Sequence, residues 1–287
     1  MLKQQLPVYG LVVFVAVLML FSAPCWARNM VLLFDTDIPA NTPYQMAQKF
    51  QSASRYVSET KRVSATQMKE TIERDDMTDI IITANKKLID EMVAAQKISA
   101  DSVVPLFTDT IMLVAVVSGE MGLKKPSYDK PIWLDVNSPV RRWLGRTGKL
   151  GMVDPNASVV SAVALEGFKQ LKLSPLLENS VATYKDWDDL NLYANSLRHA
   201  VTLTTLSATR NKTGFQGPIL AYLPSHIAPL VYYGAVVKKF DNNAARMMLA
   251  FFQQKTFKDY LQVIQYGLPE ENSTVIKKQE LPAQNKK

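Results

Sequence analysis

Apolar positions along this chain follow two patterns: short unbroken runs, and longer stretches in which they recur at spacings of three and four. Residues 30–34 (MVLLF), 79–83 (DIIIT), 103–107, 110–117 (TIMLVAVV), 149–153, 201–206, 219–223 and 230–237 are runs of the first kind, and they predict buried strands. The helical stretches lie mostly between them. Thr42-Pro43-Tyr44-Gln45 predicts a helix start, with Thr42 as cap, Pro43 in the first position and Gln45 closing a capping box; Met46, Ala47 and Phe50 supply the apolar face. Ser64-Ala65-Thr66-Gln67 is a second capping box, ahead of Met68 and Ile72. Asn85 caps a helix over 86–95 that faces Leu88, Ile89, Met92 and Val93 inward. Asp154-Pro155-Asn156 marks a turn, and Ser158 begins a helix running to about Leu171. Further helices are predicted over 186–199, over 257–263, and from a cap at Asn243 to Phe252.

This alternation predicts an α/β fold, with mostly parallel sheets covered by helices on both faces. It is interrupted once, where the strands at 103–107 and 110–117 follow each other with almost nothing between them. That interruption predicts two lobes with a cleft. Ligands of open α/β sheets sit beyond the carboxyl ends of the strands, near helix N-termini. The loops after Phe34, before Gln67, after Val153 and after Leu206 are therefore the places to look.

The amino-terminal segment has a different pattern. Lys3 precedes an uncharged apolar run over 11–21, followed by Ser22-Ala23-Pro24-Cys25-Trp26-Ala27. This is the layout of a secretory signal peptide cleaved after Ala27, and it places the protein in the periplasm. The same stretch is long enough to act as a one-helix anchor, which is the competing reading. Cleavage would remove Cys25, the only cysteine. The mature chain would then have no disulfide, thiolate metal site or cysteine nucleophile.

Lys and Arg total 33 against 26 Asp and Glu, a net charge of +7 that favours an anionic partner. Lys277, Lys278, Lys286 and Lys287 contribute much of that excess from a polar tail over 271–287. Catalytic motifs are missing: no G-x-S-x-G, no P-loop and no G-x-G-x-x-G. The two histidines, His199 and His226, are not in a metal-ligand spacing. His199 suits a helix C-terminus, and His226 lies in a loop. Asp35 and Asp37 end the first strand, where two carboxylates can cap the next helix, hold a cation or amine, or work as an acid/base pair.

Several stretches resemble the periplasmic molybdate/tungstate-binding proteins, the solute receptors of oxyanion ABC importers. Val31-Leu32-Leu33-Phe34, with its loop and a helix through Ala47-Gln48-Lys49-Phe50, is similar to that family's first strand and helix. Thr78-Asp79-Ile80-Ile81-Ile82-Thr83-Ala84-Asn85, the crossing Phe107-Thr108-Asp109-Thr110-Ile111-Met112-Leu113-Val114, and Gly151-Met152-Val153-Asp154-Pro155 follow in the family's order. Ala250-Phe251-Phe252, Tyr260 and Gln265-Tyr266-Gly267 close it. The resemblance implies lobe one over 28–110 and 232–270, and lobe two over 111–231. It implies one molybdate-like oxyanion in the cleft, held by hydroxyls and backbone amides, and an ABC permease in the inner membrane as partner. A monomer is expected, with no cofactor, metal site, enzymatic activity or nucleic-acid partner.

Within the resemblance the ligand loops depart from the family. The first-loop serine aligns with Ile38, flanked by Asp35, Thr36 and Asp37, and the second-loop serine with Ala65, between Ser64 and Thr66. The loop after Pro155 reads Ser158-Val159-Val160-Ser161, and the late tyrosine donor aligns near Thr204-Thr205. The expected site is therefore Asp35, Asp37, Ile38, Ser64 and Thr66 facing Ser158, Val160, Ser161 and Thr205. Three readings of function stay open: an oxyanion receptor, a receptor for a cationic or organic solute, and a sensing or scaffold protein that kept the fold but lost the site.

Overall fold

Strand β1 (Met30–Asp35) is buried along its whole length, and its two faces enter different clusters. Leu32 and Phe34 pack with Met46, Phe50, Met248 and Phe252, while Leu33 packs with Met68, Ile72, Ile81, Leu88, Ile89 and Met92. An unbroken apolar run is what such a two-sided strand requires. The computed structural model describes residues 28–54, 56–74, 76–115, 132–135, 150–177, 180–194, 201–210 and 219–269. The signal peptide, Cys25, His199, the end of the helix expected over 186–199 and the tail over 271–287 lie outside the described residues. Among the described residues no helix is long and apolar enough to cross a membrane.

Two five-stranded sheets make two lobes. The first has the order β2-β1-β3-β10-β4, built from β2 (Ser58–Val63), β3 (Ile80–Thr83), β4 (Val104–Asp109) and β10 (Leu230–Val236) around β1. Helices α1 (Asn41–Ser54), α2 (Ala65–Glu73), α3 (Lys86–Ala94), α8 (Asn243–Phe252) and α9 (Lys255–Val263) accompany it. The second has the order β7-β6-β8-β5-β9: β5 (Ile111–Ala115), β6 (Leu150–Val153), β7 (Val181–Tyr184), β8 (Val201–Thr205) and β9 (Ile219–Tyr222). With it go α4 (Val159–Gln170), α5 (Ser174–Leu177), α6 (Trp187–Ala194) and α7 (Leu206–Arg210).

The sheets are mixed rather than mostly parallel. β1 runs parallel to β2 and β3, and β6 runs parallel to β7 and β8. The strands next to the crossings reverse this: β10 is antiparallel to β3 and β4, and β5 to β8 and β9. The chain leaves the first sheet at Asp109 and enters the second at Ile111, with Thr110 alone between them. It returns between β9 and β10.

Several local expectations change. Asn242 rather than Asn243 caps α8, accepting the Ala245 N–H, and β7 is a further strand that the apolar pattern did not predict. Helix α1 begins at Asn41, so Thr42 is a buried first-turn residue rather than the cap. Its hydroxyl lies 3.2 Å from the Tyr266 hydroxyl, a tertiary bond that replaces capping. Strand β2 was not expected, because SETKRV has no apolar run; it is an edge strand whose residues alternate between half-buried and exposed over its first half.

Candidate functional site

The loop after β1 starts with Asp35, which has no exposed surface. One of its oxygens accepts the Asp37 backbone N–H at 3.1 Å, and the other accepts the Thr83 hydroxyl at 2.6 Å. Burial, and then the charge of Asp37, push the Asp35 carboxyl up to about 7. Ile38 follows, fully buried in the apolar core. Its side chain packs in the core and is not among the residues that line the cavity between the lobes.

Asp37 reaches the other lobe. Its Oδ2 accepts the Val160 backbone N–H at 3.0 Å, and its Oδ1 accepts the Trp187 indole N–H at 2.8 Å. The Ser158 hydroxyl and the Val159 N–H lie beside it and help hold its pKa down. Val159 and Val160 open α4, where the first amides have no acceptor within the helix. Ser158 is the N-cap and accepts the Ser161 N–H at 3.2 Å. Ser161 is buried, and its hydroxyl has no hydrogen-bond partner among the described residues. Burial raises the Asp37 carboxyl, opposed by Val160, Ser158 and Trp187. Donors surround both carboxylates: Asp35 takes the Asp37 N–H and the Thr83 hydroxyl, and Asp37 takes the Val160 N–H and the Trp187 indole.

A third carboxylate stands at the crossing. Asp109, the last residue of β4, accepts the Thr110 N–H at 2.7 Å and the Ser207 N–H at 3.2 Å, and it accepts the Ser207 hydroxyl in a short bond. Burial pushes it up to about 6. Thr205 lies 3.3 Å from the Ser207 hydroxyl, and its own hydroxyl accepts the Ala208 N–H. Behind these groups the Tyr232 hydroxyl is buried without a partner among the described residues. Its pKa is driven upward by burial and then by the nearby carboxylates, Asp37 first.

A cavity of about 50 Å³ opens between the lobes, with Thr36, Asp37 and Arg62 on one wall and Trp187, Asp188 and Thr205 on the other. That is room for a few water-sized groups. Arg62 comes from the end of β2 and donates to the Thr36 carbonyl at 2.6 Å. The structure thus brings together Asp35, Asp37, Ser158, Val160 and, on the cavity wall, Thr205. Ser64 and Thr66 are not among the cavity's lining residues. Ser64 caps α2 in a closed capping box with Gln67, and Thr66 is exposed. Sequence reasoning missed Arg62, Trp187, Asp188 and Asp109 as site residues. Among them, only the aromatic residue in the acidic Asp186-Trp187-Asp188-Asp189 carried a local hint. His226 lies on an exposed turn. Among the described residues, no group of three or more His, Cys, Asp or Glu side chains could hold a metal.

A family model described as bacterial extracellular solute-binding protein matches residues 40–262. No curated protein matches the chain's sequence. Solved structures are similar in fold. The periplasmic molybdate-binding protein of Azotobacter vinelandii superimposes with a TM-score of 0.65 at 12% identity, covering 84% of this chain and 100% of its own. The sulfate-binding protein SubI from Mycobacterium tuberculosis gives 0.62 at 12% identity, covering 89% and 92%. The periplasmic binding protein AfuA from Actinobacillus pleuropneumoniae, with fructose-6-phosphate bound, gives 0.59 at 12% identity, covering 84% of each.

Proposed function

Because the chain belongs to the bacterial extracellular solute-binding proteins, we propose that it takes one small solute into the cleft between its lobes and delivers it to an ABC permease. The carrying observation is the cavity whose walls come from both lobes, with Arg62 and Asp37 facing Trp187, Asp188 and Thr205. The family is one of transport rather than catalysis. The lobes run over 28–110 with 232–270 and over 111–231. The protein works as a periplasmic monomer, cleaved after Ala27.

Likeness to receptors of molybdate and sulfate makes a small tetrahedral oxyanion the first solute class to test. Such an anion would meet Arg62 and Thr205, and to reach the α4 amides it would have to displace Asp37. One observation favours a second class. Asp37 already occupies those amides, and Asp188 lies on the opposite wall. A solute that turns a cationic or donor group toward Asp37 and Asp188, and any anionic end toward Arg62, fits this lining better than a bare dianion.

A thermal-shift screen of the mature protein tests both classes, with molybdate, tungstate and sulfate against small amines and zwitterions. A cleft ligand at a hundred times its dissociation constant stabilises by roughly 2.7 kcal/mol, a shift of a few degrees. Arg62→Ala should abolish a shift caused by an oxyanion. If no solute of either class moves the transition, the receptor reading falls and the scaffold reading replaces it.

A further inference from the structure

We propose that Asp37 is a tethered stand-in for an anionic ligand: its carboxylate fills the α4 N-terminus from the opposite lobe and latches the two lobes together without a solute. This inference rests on the geometry between the lobes, whatever the solute proves to be.

The donors around Asp37 form an anion-binding set. They are the Val160 amide in the first turn of α4 and the Trp187 indole N–H, with the Val159 amide and the hydroxyl of the N-cap Ser158 beside them. The Val160 amide and Trp187 indole nitrogens lie 3.0 and 2.8 Å from the carboxylate oxygens. Helix α4 has 12 residues, so its first turn presents both free amides and the positive end of a full macrodipole. All of these donors belong to the second lobe, whereas Asp37 follows the first strand of the first lobe, 123 residues before Val160. Asp37 is only 4% exposed, so the contact is largely shielded from bulk water.

The loop that carries Asp37 is itself held in place. Asp35 takes the Asp37 N–H, and Thr83 holds Asp35. The carboxylate is therefore presented by a fixed arm, and its effective concentration at the α4 amides is high. An outside anion must compete with that concentration. At the crossing, Asp109 of the first sheet takes the Ser207 N–H and hydroxyl of the second lobe, a second contact of the same polarity. Both contacts put the acceptor on the first lobe and the donors on the second.

Asp37→Gly removes the arm's carboxylate and frees the slot. In solute-free buffer the wild type should scatter X-rays as a closed molecule, and Asp37→Gly should show a larger radius of gyration. Acetate or formate supplies a carboxylate to the vacated donors. Either should restore the closed profile in Asp37→Gly and raise its melting temperature saturably, with half-saturation about a hundredfold lower than any effect on the wild type. Sodium chloride at equal ionic strength should do neither. Identical scattering of Asp37→Gly and wild type overturns the proposal, and so does an equal acetate response in both. If Asp37→Gly does not fold, Asp37→Asn decides. It keeps the shape and loses the charge, so an opened profile supports the latch and a closed one overturns it. The solute screen on the wild type can succeed or fail independently of either result.

Discussion

Helices α2 and α4 both open at the cleft side of a strand, and both begin with a serine cap, yet their first turns are satisfied in opposite ways. Ser64 accepts the Gln67 N–H, and the Gln67 side chain returns to the Ser64 N–H, so α2 closes on itself within four residues. Ser158 does only half of this: it takes the Ser161 N–H, and the Val160 amide goes to Asp37 of the other lobe. A helix start satisfied by its own residues is a structural end. One whose amides look outward for an anion is a recognition surface, and in this protein the recognition is internal. Equal capping motifs in the sequence therefore do not mean equal roles.

The contrast can be broken most forcefully at Asp37. Asp37→Ala leaves the Val160 amide and the Trp187 indole without their acceptor. At roughly 1–3 kcal/mol per orphaned donor, urea denaturation should show a loss of several kcal/mol, more than for any other cleft substitution named here. A loss no larger than that of a surface mutant would show that the donors turn to water and that the two helix starts are equivalent.

Next in size is the dependence on pH. The folded Asp35 and Asp109 carboxyls sit at about 7 and about 6, while their unfolded values lie near 3.8. Between those limits the folded state holds protons that the unfolded state has released, so stability should fall as pH rises from about 4 to about 7. Asp35→Asn should flatten that slope. Chemical denaturation at several pH values measures it, and a wild-type curve that climbs steadily across the window would contradict the burial of these groups.

Smaller effects sharpen the comparison. Ser158→Ala removes the α4 cap beside Asp37, and should cost about 1–2 kcal/mol while loosening the lobes in scattering. Ser64→Ala should cost about 1 kcal/mol and leave the lobe arrangement untouched, because its box is local. Thr66→Ala, on an exposed first-turn residue, should stay within about 0.5 kcal/mol and change no solute affinity. A solute affinity that follows Ser64 or Thr66 would return the second loop to the site.

What could be read from the chain was what depends on neighbours in sequence. The runs at β1, β3, β5 and β8, the capping box at Ser64, and the caps at Asn85 and Ser158 all appear in the structure where periodicity and capping chemistry put them. Strand β2 was hidden because an edge strand needs no apolar run, and Arg62 was hidden with it. Thr42 looked like a cap because its tertiary partner, Tyr266, lies 224 residues away. Ile38, which the resemblance places at the ligand loop, turns its side chain into the core, and the sequence carries no signal of that inward turn. The pairing of Asp37 with Trp187 spans 150 residues and leaves no local trace beyond the two residues themselves.

Strand β10 has a consequence for the order of assembly. It fills the place between β3 and β4 in the first sheet, yet it is made only after all of the second sheet. Until the chain has been completed through Val236, the earlier strands of that sheet face a missing neighbour, and β4 is cut off from β3. The first lobe therefore cannot mature as the chain emerges; it waits for its last strand.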